Sequence, residues 1–352
     1  MTRTANVVGL GLIGGSVALA LREQGWTVHG VDLDGDRVAD ARRRDIIDAG
    51  QLAADAAITF VAVPASAAAS AIDQALASTT GLVTDVTSVK ARIATAVADP
   101  RFVAGHPMAG SEQEGLAGSR ADMFQGAVWV LTPNSSTADN AVAEVATVVR
   151  SFGADVVALA PDRHDEIVAV VSHVPHLTAA ALMTLAADRS VDHVALLRLA
   201  AGGFRDMTRV AAGHPAIWPD ICVENRDAIV AVLDGLIRQL GEVRSMVADE
   251  NRDALLSTLH AARAARTNLP GRASQPEDLV EMRIPIPDHP GAAAEVFTLA
   301  GELDVNIFDF EVAHSPEGDF GVMVLVVGAA QADLLRGGLM ARGFRPGLRS
   351  LA

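Results

Sequence analysis

One glycine-rich motif near the N-terminus constrains the fold more than any other feature of this sequence. It lies between a short β-branched run and an alanine-rich helical pattern, and its residues are Gly9, Leu10, Gly11, Leu12, Ile13 and Gly14. Gly9 permits a tight turn, Gly11 lets the backbone approach a diphosphate, and Gly14 lets the helix pack closely on the strand. The motif therefore predicts a strand, a phosphate-binding turn and a helix, although a glycine-rich turn in another kind of α/β protein remains the alternative.

An acidic residue after the second predicted strand supports the dinucleotide interpretation. Asp32 lies 23 residues after Gly9, where a carboxylate accepts hydrogen bonds from ribose hydroxyls and repels a 2′-phosphate. This favours NAD over NADP, but Arg37 is close enough to leave NADP open. Val63, the last residue of the third predicted strand, and Pro64 directly after it are also predicted to contact the cofactor.

Residues 1–160 alternate β-branched runs with helical patterns, which predicts a parallel, doubly wound sheet of the Rossmann type covered on both faces. The predicted strands are Val7–Gly9, Val28–Val31, Ile58–Val63, Leu82–Asp85, Phe102–Ala104, Val128–Leu131 and Val156–Leu159. The predicted helices are Gly14–Gln24, Ser66–Ala77, Val89–Ala98 and Thr137–Ser151.

Two further units follow this α/β domain. Residues 161–268 have apolar spacing typical of helices and predict an all-helical domain, with helices Asp165–Val171, His176–Leu185, Val194–Gly202, Ile217–Val247 and Asp249–Thr267. Residues 269–278 have the composition of a linker. Residues 279–352 follow a βαββαβ order, which is typical of a ferredoxin-like domain, with strands at Val280–Pro287, Val305–Ala313, Gly321–Val327 and Phe344–Leu348 and helices at Gly291–Gly301 and Gln331–Ala341.

Composition excludes several classes of protein. The 352 residues carry a formal net charge of −15, which argues against nucleic acid and membrane surfaces as partners because both bind a basic face. A single cysteine, Cys222, excludes an internal disulfide framework and suits a reducing cytoplasm. The apolar runs are interrupted by glycine or proline, so no targeting or membrane segment is predicted, and no residue cluster has metal-ligand spacing.

Two loops that follow predicted strands hold the candidate catalytic residues. Ser88 and Lys90, the only lysine, follow the strand Leu82–Asp85. Ser88 can donate a hydrogen bond to a substrate oxygen or cap a helix. His106 is expected on a rigid, exposed loop, where its pKa suits the removal of a hydroxyl proton near neutral pH. Glu112 either orients His106 or lines the pocket, and a solvated position is equally compatible with the sequence.

The predicted helical domain supplies candidate anion-binding residues. Arg209 and Arg205 can pair with a substrate carboxylate, although two exposed helix positions explain them equally well. The remaining histidines, at 29, 164, 193, 214, 260, 289 and 314, have no such setting and are predicted to be structural.

Together these motifs resemble the prephenate/arogenate dehydrogenases of tyrosine biosynthesis. The resemblance lies in GLGLIGGS (9–16), VD (31–32), DVTSVK (85–90), GHPMAGSE (105–112), DRHDEIVAVVSHVPH (162–176) and GGFRDMTR (202–209), with Trp218. The tail is similar to an ACT domain, an amino-acid-sensing module, with residues 287–291 at its ligand loop. The resemblance therefore covers nearly the whole chain.

The resemblance implies a reaction and a role for each site residue. His106 takes the proton of the ring hydroxyl of prephenate while hydride passes to NAD, and Ser88 hydrogen-bonds near the same oxygen. Arg209 binds a substrate carboxylate, His176 contacts the side-chain end, and Glu112 and Trp218 complete the substrate site. It also implies a cytoplasmic homodimer formed through the helical domain, with tyrosine as a possible effector at the tail.

Three alternatives remain open at this stage. L-Arogenate differs from prephenate only in an amino group at the side chain, and His176 favours the keto acid only weakly. A β-hydroxyacid dehydrogenase is disfavoured because it needs a lysine in the helical domain, and residues 91–352 contain none. A non-catalytic amino-acid sensor predicts a damaged set of His, Ser and Arg residues, whereas this set is intact.

Overall fold

The structure is a computed structural model that describes residues 3–110, 113, 115–190, 200, 202–213, 215–267, 279–287, 291–314 and 320–350. Two compact units can be distinguished, residues 1–239 and residues 240–352. The first holds the glycine motif and every predicted catalytic and substrate residue that the structure describes.

A five-stranded parallel sheet forms the centre of the first unit. Its strands are β1 (Thr4–Val8), β2 (Thr27–Val31), β3 (Ile58–Val61), β4 (Leu82–Asp85) and β5 (Phe102–Val103), in the order β2-β1-β3-β4-β5. The change of direction on either side of β1 makes the sheet doubly wound, as predicted, and places the loops after β1 and β3 side by side at the carboxyl edge.

Helices cover this sheet and bury its apolar side chains. They are α1 (Leu12–Glu23), α2 (Gly35–Arg43), α3 (Ala65–Ser78), α4 (Ala91–Ala96) and α5 (Asp139–Ser151). Helix α2 was not predicted because it is strongly polar and buries only Ala41, so it has no apolar periodicity to detect.

The prediction of one parallel sheet through all seven strands is wrong beyond β5. Three strands, β6 (Gly105–Pro107), β7 (Val128–Leu131) and β8 (Asp155–Ala158), form a separate sheet in which β6 runs antiparallel to β7. Gly105 explains the break, since its N–H donates to the Asp85 carboxylate rather than to a strand. A Cβ at Gly105 would lie 2.9 Å from the Trp129 indole nitrogen, so only glycine permits this close approach.

The helical part of the first unit differs from prediction at two points. Helices α6 (Pro161–Val168) and α7 (Val174–Ser190) are joined by a π-helical turn, Ala169–His173, instead of being separate. Pro175 lacks a backbone N–H and clashes with a regular α-turn before it, which explains the irregularity.

The predicted helix Ile217–Val247 is instead two helices. Between α9 (Trp218–Glu224) and α10 (Arg226–Ala248), Asn225 has φ −111° and ψ 32°, outside the helical region. A short helix, α8 (Gly202–Thr208), precedes α9. Most of the predicted helix Val194–Gly202 lies outside the described residues.

The second unit contains the end of α10, helix α11 (Arg252–Thr267) and a four-stranded sheet. The sheet strands are β9 (Leu279–Pro287), β10 (Ile307–His314), β11 (Phe320–Gly328) and β12 (Gly347–Ser350), with α12 (Ala292–Glu302) and α13 (Ala329–Ala341) between them. Their order, β10-β11-β9-β12, is antiparallel throughout and matches the predicted ferredoxin-like pattern.

One stretch of the described residues, Pro161–Arg189, is long and apolar enough to cross a membrane by length and composition, since an 18-residue window within it has a mean hydropathy of 1.5. It comprises α6, the π-helical turn and nearly all of α7. Its first turns carry the buried polar residues His164 and Asp165, which bond to the α/β part of the same unit. These bonds favour a helix of a globular protein.

Candidate active site

The glycine motif forms a cradle at the carboxyl edge of the parallel sheet. Gly9 has a φ of +92°, and a Cβ there would lie 2.3 Å from the carbonyl oxygen of Ala62. A Cβ at Gly14 would lie 1.9 Å from the Gly9 carbonyl oxygen, so α1 packs against the turn as closely as backbone allows. Around Gly11 the space within 4 Å of a Cβ is open. Gly9 and Gly14 leave no room for a side chain, whereas the space beside Gly11 is open. This arrangement fits the diphosphate of a dinucleotide.

Asp32 supports the glycine turn from the end of β2. Its Oδ2 accepts a 2.7 Å hydrogen bond from the Leu10 N–H, and its Oδ1 accepts one of 2.9 Å from the Asp34 N–H. A carboxylate has about four acceptor positions, so the residue can also take a ribose hydroxyl. The Arg37 guanidinium is 3.8 Å from Asp32 and half exposed, which keeps a cation beside the predicted ribose position.

The other predicted cofactor residues lie beside the cradle. Strand β3 ends at Val61, two residues earlier than predicted, and Val63 follows in the loop. A Cβ on Gly9 would lie 3.2 Å from the Val63 side chain. Pro64 is exposed and immediately precedes α3. Leu12 and Ile13 are the first two residues of α1, which begins there instead of at Gly14.

Lys90 forms a buried ion pair with Asp85 at the end of β4. Both side chains are fully buried, and the Lys90 ammonium also donates to the Thr87 hydroxyl at 2.8 Å. Burial lowers the pKa of Lys90, and the Asp85 carboxylate opposes this shift. The remaining Asp85 oxygen accepts the Gly105 N–H at 3.1 Å. The only lysine therefore supports the strand that carries His106 and does not face a ligand.

Ser88 lies in a half-buried bend between β4 and α4, and it does not cap the helix. Asp165 caps α4 instead, since its two carboxylate oxygens accept the N–H groups of Lys90 (2.8 Å) and Ala91 (2.9 Å). The capping alternative for Ser88 is therefore excluded, and the alternative in which its hydroxyl donates to a substrate remains.

His106 lies in the middle of β6, half-buried, and not on an exposed loop as expected. Its Nδ1 is 2.8 Å from Nε2 of His164, and Nδ1 of His164 is 2.7 Å from Oδ1 of Asp165. Burial first, and then the nearby His164, Lys90 and His173, lower the pKa of His106 well below 6.5. At neutral pH the ring is therefore uncharged, which is the form that accepts a proton.

A second group of rings continues from this network. Nδ2 of Asn225 donates to the backbone carbonyl of Asp165 at 2.9 Å and is 3.1 Å from Nδ1 of His173. The His173 ring is edge-on to Trp218, with 6.2 Å between the ring centroids, and the His176 ring stacks on Trp218, with 3.6 Å between the centroids. The structure thus brings the predicted residues His106, His176 and Trp218 into one continuous network.

Burial also lowers the pKa values of two rings in this second group. It lowers the pKa of His173 to about 4 and that of His176 below its usual value. The Nε2 atom of His173 is buried without a hydrogen-bond partner in the described part of the chain. The rings of His173 and His176 are therefore uncharged at neutral pH.

The predicted anion-binding residues Arg205 and Arg209 are exposed residues of the helical part of this unit. Arg209 is exposed and begins a 3₁₀ turn, Arg209–Ala212, that packs against α7. Gly213, which ends that turn, is close to His176, since a Cβ there would lie 3.5 Å from the ring. Arg205 is exposed on α8. Glu112 lies outside the described residues.

Sequence reasoning missed His164, Asp165, His173 and Asn225. His164 was given a structural role, yet it contacts the predicted base directly. The available signal was the adjacency of His164 and Asp165 at the start of a helix that also carries His173 on a later turn.

A diphosphate cradle and an uncharged histidine are what an NAD-dependent dehydrogenase needs, one to hold the cofactor and the other to take a hydroxyl proton. Residues 17–158 match the family described as prephenate dehydrogenase, nucleotide-binding domain, and residues 160–261 match prephenate dehydrogenase, dimerization domain. The chain belongs to the prephenate dehydrogenase family and is an NAD-dependent dehydrogenase.

Individual relatives agree with the family. The chain is 31% identical to prephenate dehydrogenase of Bacillus subtilis (strain 168), over 92% of this chain and 91% of that protein. Its fold is similar to the crystal structure of prephenate dehydrogenase from A. aeolicus in complex with hydroxyphenyl propionate and NAD+, with a TM-score of 0.71, 28% identity, and coverage of 76% of this chain and 98% of that one. It is also similar to Synechocystis arogenate dehydrogenase, with a TM-score of 0.65, 28% identity, and coverage of 75% and 98%.

Proposed function

We propose that this protein catalyses the oxidative decarboxylation of prephenate to 4-hydroxyphenylpyruvate with hydride transfer to NAD+, in tyrosine biosynthesis. The observation that carries the proposal is the half-buried, uncharged His106 in a chain that also forms the diphosphate cradle. The family, the B. subtilis relative and the A. aeolicus complex support the same substrate and cofactor.

The roles of the residues follow from the chemistry of the ring. When bound, the nicotinamide accepts a hydride from C4 of prephenate. His106 takes the proton of the C4 hydroxyl, and Ser88 holds the same oxygen by a hydrogen bond. Oxidation at C4 makes a dienone, so the C1 carboxylate leaves as CO2 and its electron pair makes the ring aromatic. The proton on His106 returns to the ring oxygen, which balances the reaction without a metal or a further acid.

The substrate carboxylates need a local cation in an acidic protein. Arg209 supplies a guanidinium for one carboxylate, and His176 is placed to contact the side-chain end while its ring is held by the stack on Trp218. Glu112 is proposed to face the same pocket.

A comparison of substrates and cofactors tests this function. We expect the full chain to form NADH from prephenate and NAD+ faster than from L-arogenate, and faster with NAD+ than with NADP+, because Asp32 disfavours a 2′-phosphate. Initial rates for the four combinations measure this. Turnover of neither substrate by protein that binds NAD+ would contradict the enzyme and support the non-catalytic sensor.

Arogenate is the second candidate substrate. The similarity to Synechocystis arogenate dehydrogenase favours it, at nearly the same coverage as the A. aeolicus structure. A higher kcat/KM for arogenate than for prephenate would establish this alternative, with L-tyrosine as the direct product.

We infer a cytoplasmic homodimer that forms through residues 161–268, between the cofactor domain (1–160) and the linker (269–278). The family match over 160–261 to a dimerization domain supports this. An apolar groove of about 590 Å³ lies between α7, α8 and α10, lined in part by Val174, Leu182, Met207 and Leu236. A second copy of the chain is the proposed cover for this groove.

Residues 279–352 are proposed to be an ACT-like domain that binds tyrosine as an effector. The ferredoxin-like strand order and the left-handed Gly291 (φ +96°) after strand β9 support this. We expect tyrosine to inhibit the full chain and a truncated chain lacking 279–352 to lose that sensitivity, as measured by tyrosine titration in the rate assay. Equal inhibition of both proteins would show that tyrosine acts elsewhere.

A further inference from the structure

The contacts of His106 form a chain of three residues from two different elements. His106 lies on β6, and its Nδ1 is 2.8 Å from Nε2 of His164 at the start of α6. Nδ1 of His164 is in turn 2.7 Å from the Asp165 carboxylate. His164 and Asp165 are nearly inaccessible to solvent, with 1% and 4% exposed. Water therefore does not compete for these bonds.

The donors and acceptors in this chain follow from the terminal carboxylate. An ionised carboxylate only accepts hydrogen bonds, so Nδ1 of His164 carries a hydrogen. With the His164 ring uncharged, its Nε2 is an acceptor, and Nδ1 of His106 is then the donor. A neutral His106 that is protonated at Nδ1 has its lone pair on Nε2, the ring nitrogen that is not bonded to His164.

We propose that His164, held by Asp165, is a positioning residue that fixes His106 in the Nδ1–H tautomer and thereby makes its Nε2 the proton acceptor. Within the described part of the chain, no carboxylate is hydrogen-bonded directly to His106. When it takes up a proton, the hydrogen bond from Nδ1 to His164 strengthens, and Asp165 favours the charge through the intervening ring. His164 and Asp165 would thus orient the general base His106. Their catalytic role rests on the proposed dehydrogenase reaction.

Asp165 also explains why the pair is held rigidly. Its carboxylate accepts the N–H groups of Lys90 and Ala91 at the start of α4, and its carbonyl accepts from Asn225. Among the residues that the structure describes, the charged or titratable groups around His106 are His164 and Asp165 on α6, His173 on the π-helical turn, Asp85 at the end of β4 and Lys90 in the segment that follows. Among these, only His164 contacts the His106 ring nitrogen.

The tautomer can be measured without any substrate. In full-length protein labelled with ¹⁵N in the histidine rings, we expect the His106 signals at neutral pH to show a protonated Nδ1 and an unprotonated Nε2. In His164→Leu, which removes the acceptor, the Nδ1–H form should give way to the Nε2–H form. A wild-type His106 protonated at Nε2 would overturn the proposal, whatever the substrate of the enzyme proves to be.

Kinetics give a second readout. For His164→Leu we expect kcat to fall by about 10²-fold, at the lower end of what a positioned general base contributes, with the KM for each substrate changed less than about threefold. His164→Gln keeps an acceptor oxygen, so at least roughly tenfold of the loss should be recovered. Val168→Ala, in the same helix and equally buried, should lower the unfolding temperature without a comparable loss of kcat.

Three results would contradict the positioning role. They are a His164→Leu enzyme with kcat within threefold of wild type, a His164→Gln enzyme no faster than His164→Leu, and a Val168→Ala enzyme that loses kcat as much as His164→Leu. If His164→Leu does not fold, the wild-type tautomer still decides the matter.

Discussion

Replacement of His106 by Asn is expected to reduce kcat by about 10³-fold, within the 10²–10⁴-fold that general-base catalysis contributes. Asparagine is similar in shape but has no ring nitrogen that can take the hydroxyl proton. NAD+ binding should remain within about twofold of wild type, because the glycine cradle and Asp32 are unchanged. Steady-state rates and NAD+ titration by fluorescence measure the two effects.

His260→Asn is the matched control, since it makes the same change at an exposed position on α11. It should retain wild-type kcat. The pH profile adds an independent check. Because burial, followed by His164, Lys90 and His173, lowers the pKa of His106 well below 6.5, kcat/KM should stay constant through neutral pH and fall only in more acidic solution. A His106→Asn enzyme with kcat near wild type would exclude His106 as the base.

Replacement of Lys90 by Met is expected to destabilise the protein by about 3–5 kcal/mol. The substitution removes the cation and leaves the Asp85 carboxylate buried without its charge partner, and breaking a buried pair from one side costs this much. Urea-induced unfolding, followed by tryptophan fluorescence, reports the change because Trp129 is buried near this pair.

Two further variants separate the buried charge from the lost side chain. Arg92→Met removes the cation of an exposed pair, Arg92–Glu224, two positions away, and should cost less than about 1 kcal/mol. The double variant Asp85→Asn/Lys90→Met removes both charges and should be more stable than Lys90→Met alone. If Lys90→Met and Arg92→Met destabilise equally, the buried ion pair does not have the structural role described here.

The sequence was sufficient for those parts of the fold that local patterns determine. Strands β2, β4 and β7 lie within one residue of prediction because at least half of the residues in each are β-branched. The split between β5 and β6 was not predictable, because it depends on the bond from the Gly105 N–H to Asp85, which is 20 residues earlier in the chain. Likewise, the break at Asn225 depends on its bond to the Asp165 carbonyl, 60 residues away.

The same distinction applies to the site. His106 was predicted from its strand-end setting, and the cradle from glycine spacing. His164 was overlooked because its partner lies 58 residues earlier, and no local pattern shows which histidine faces another. Ser88 was open to two roles until the structure showed Asp165 at the start of α4. Contacts between distant segments, rather than residue types, were the missing information.

The most direct test of the account is the stoichiometry of a single reaction with the full chain, prephenate and NAD+. The account predicts one NADH, one CO2 and one 4-hydroxyphenylpyruvate for each prephenate consumed, and near loss of all three products in His106→Asn. Protein that binds NAD+ yet leaves prephenate unchanged, or that forms NADH without CO2, would contradict it.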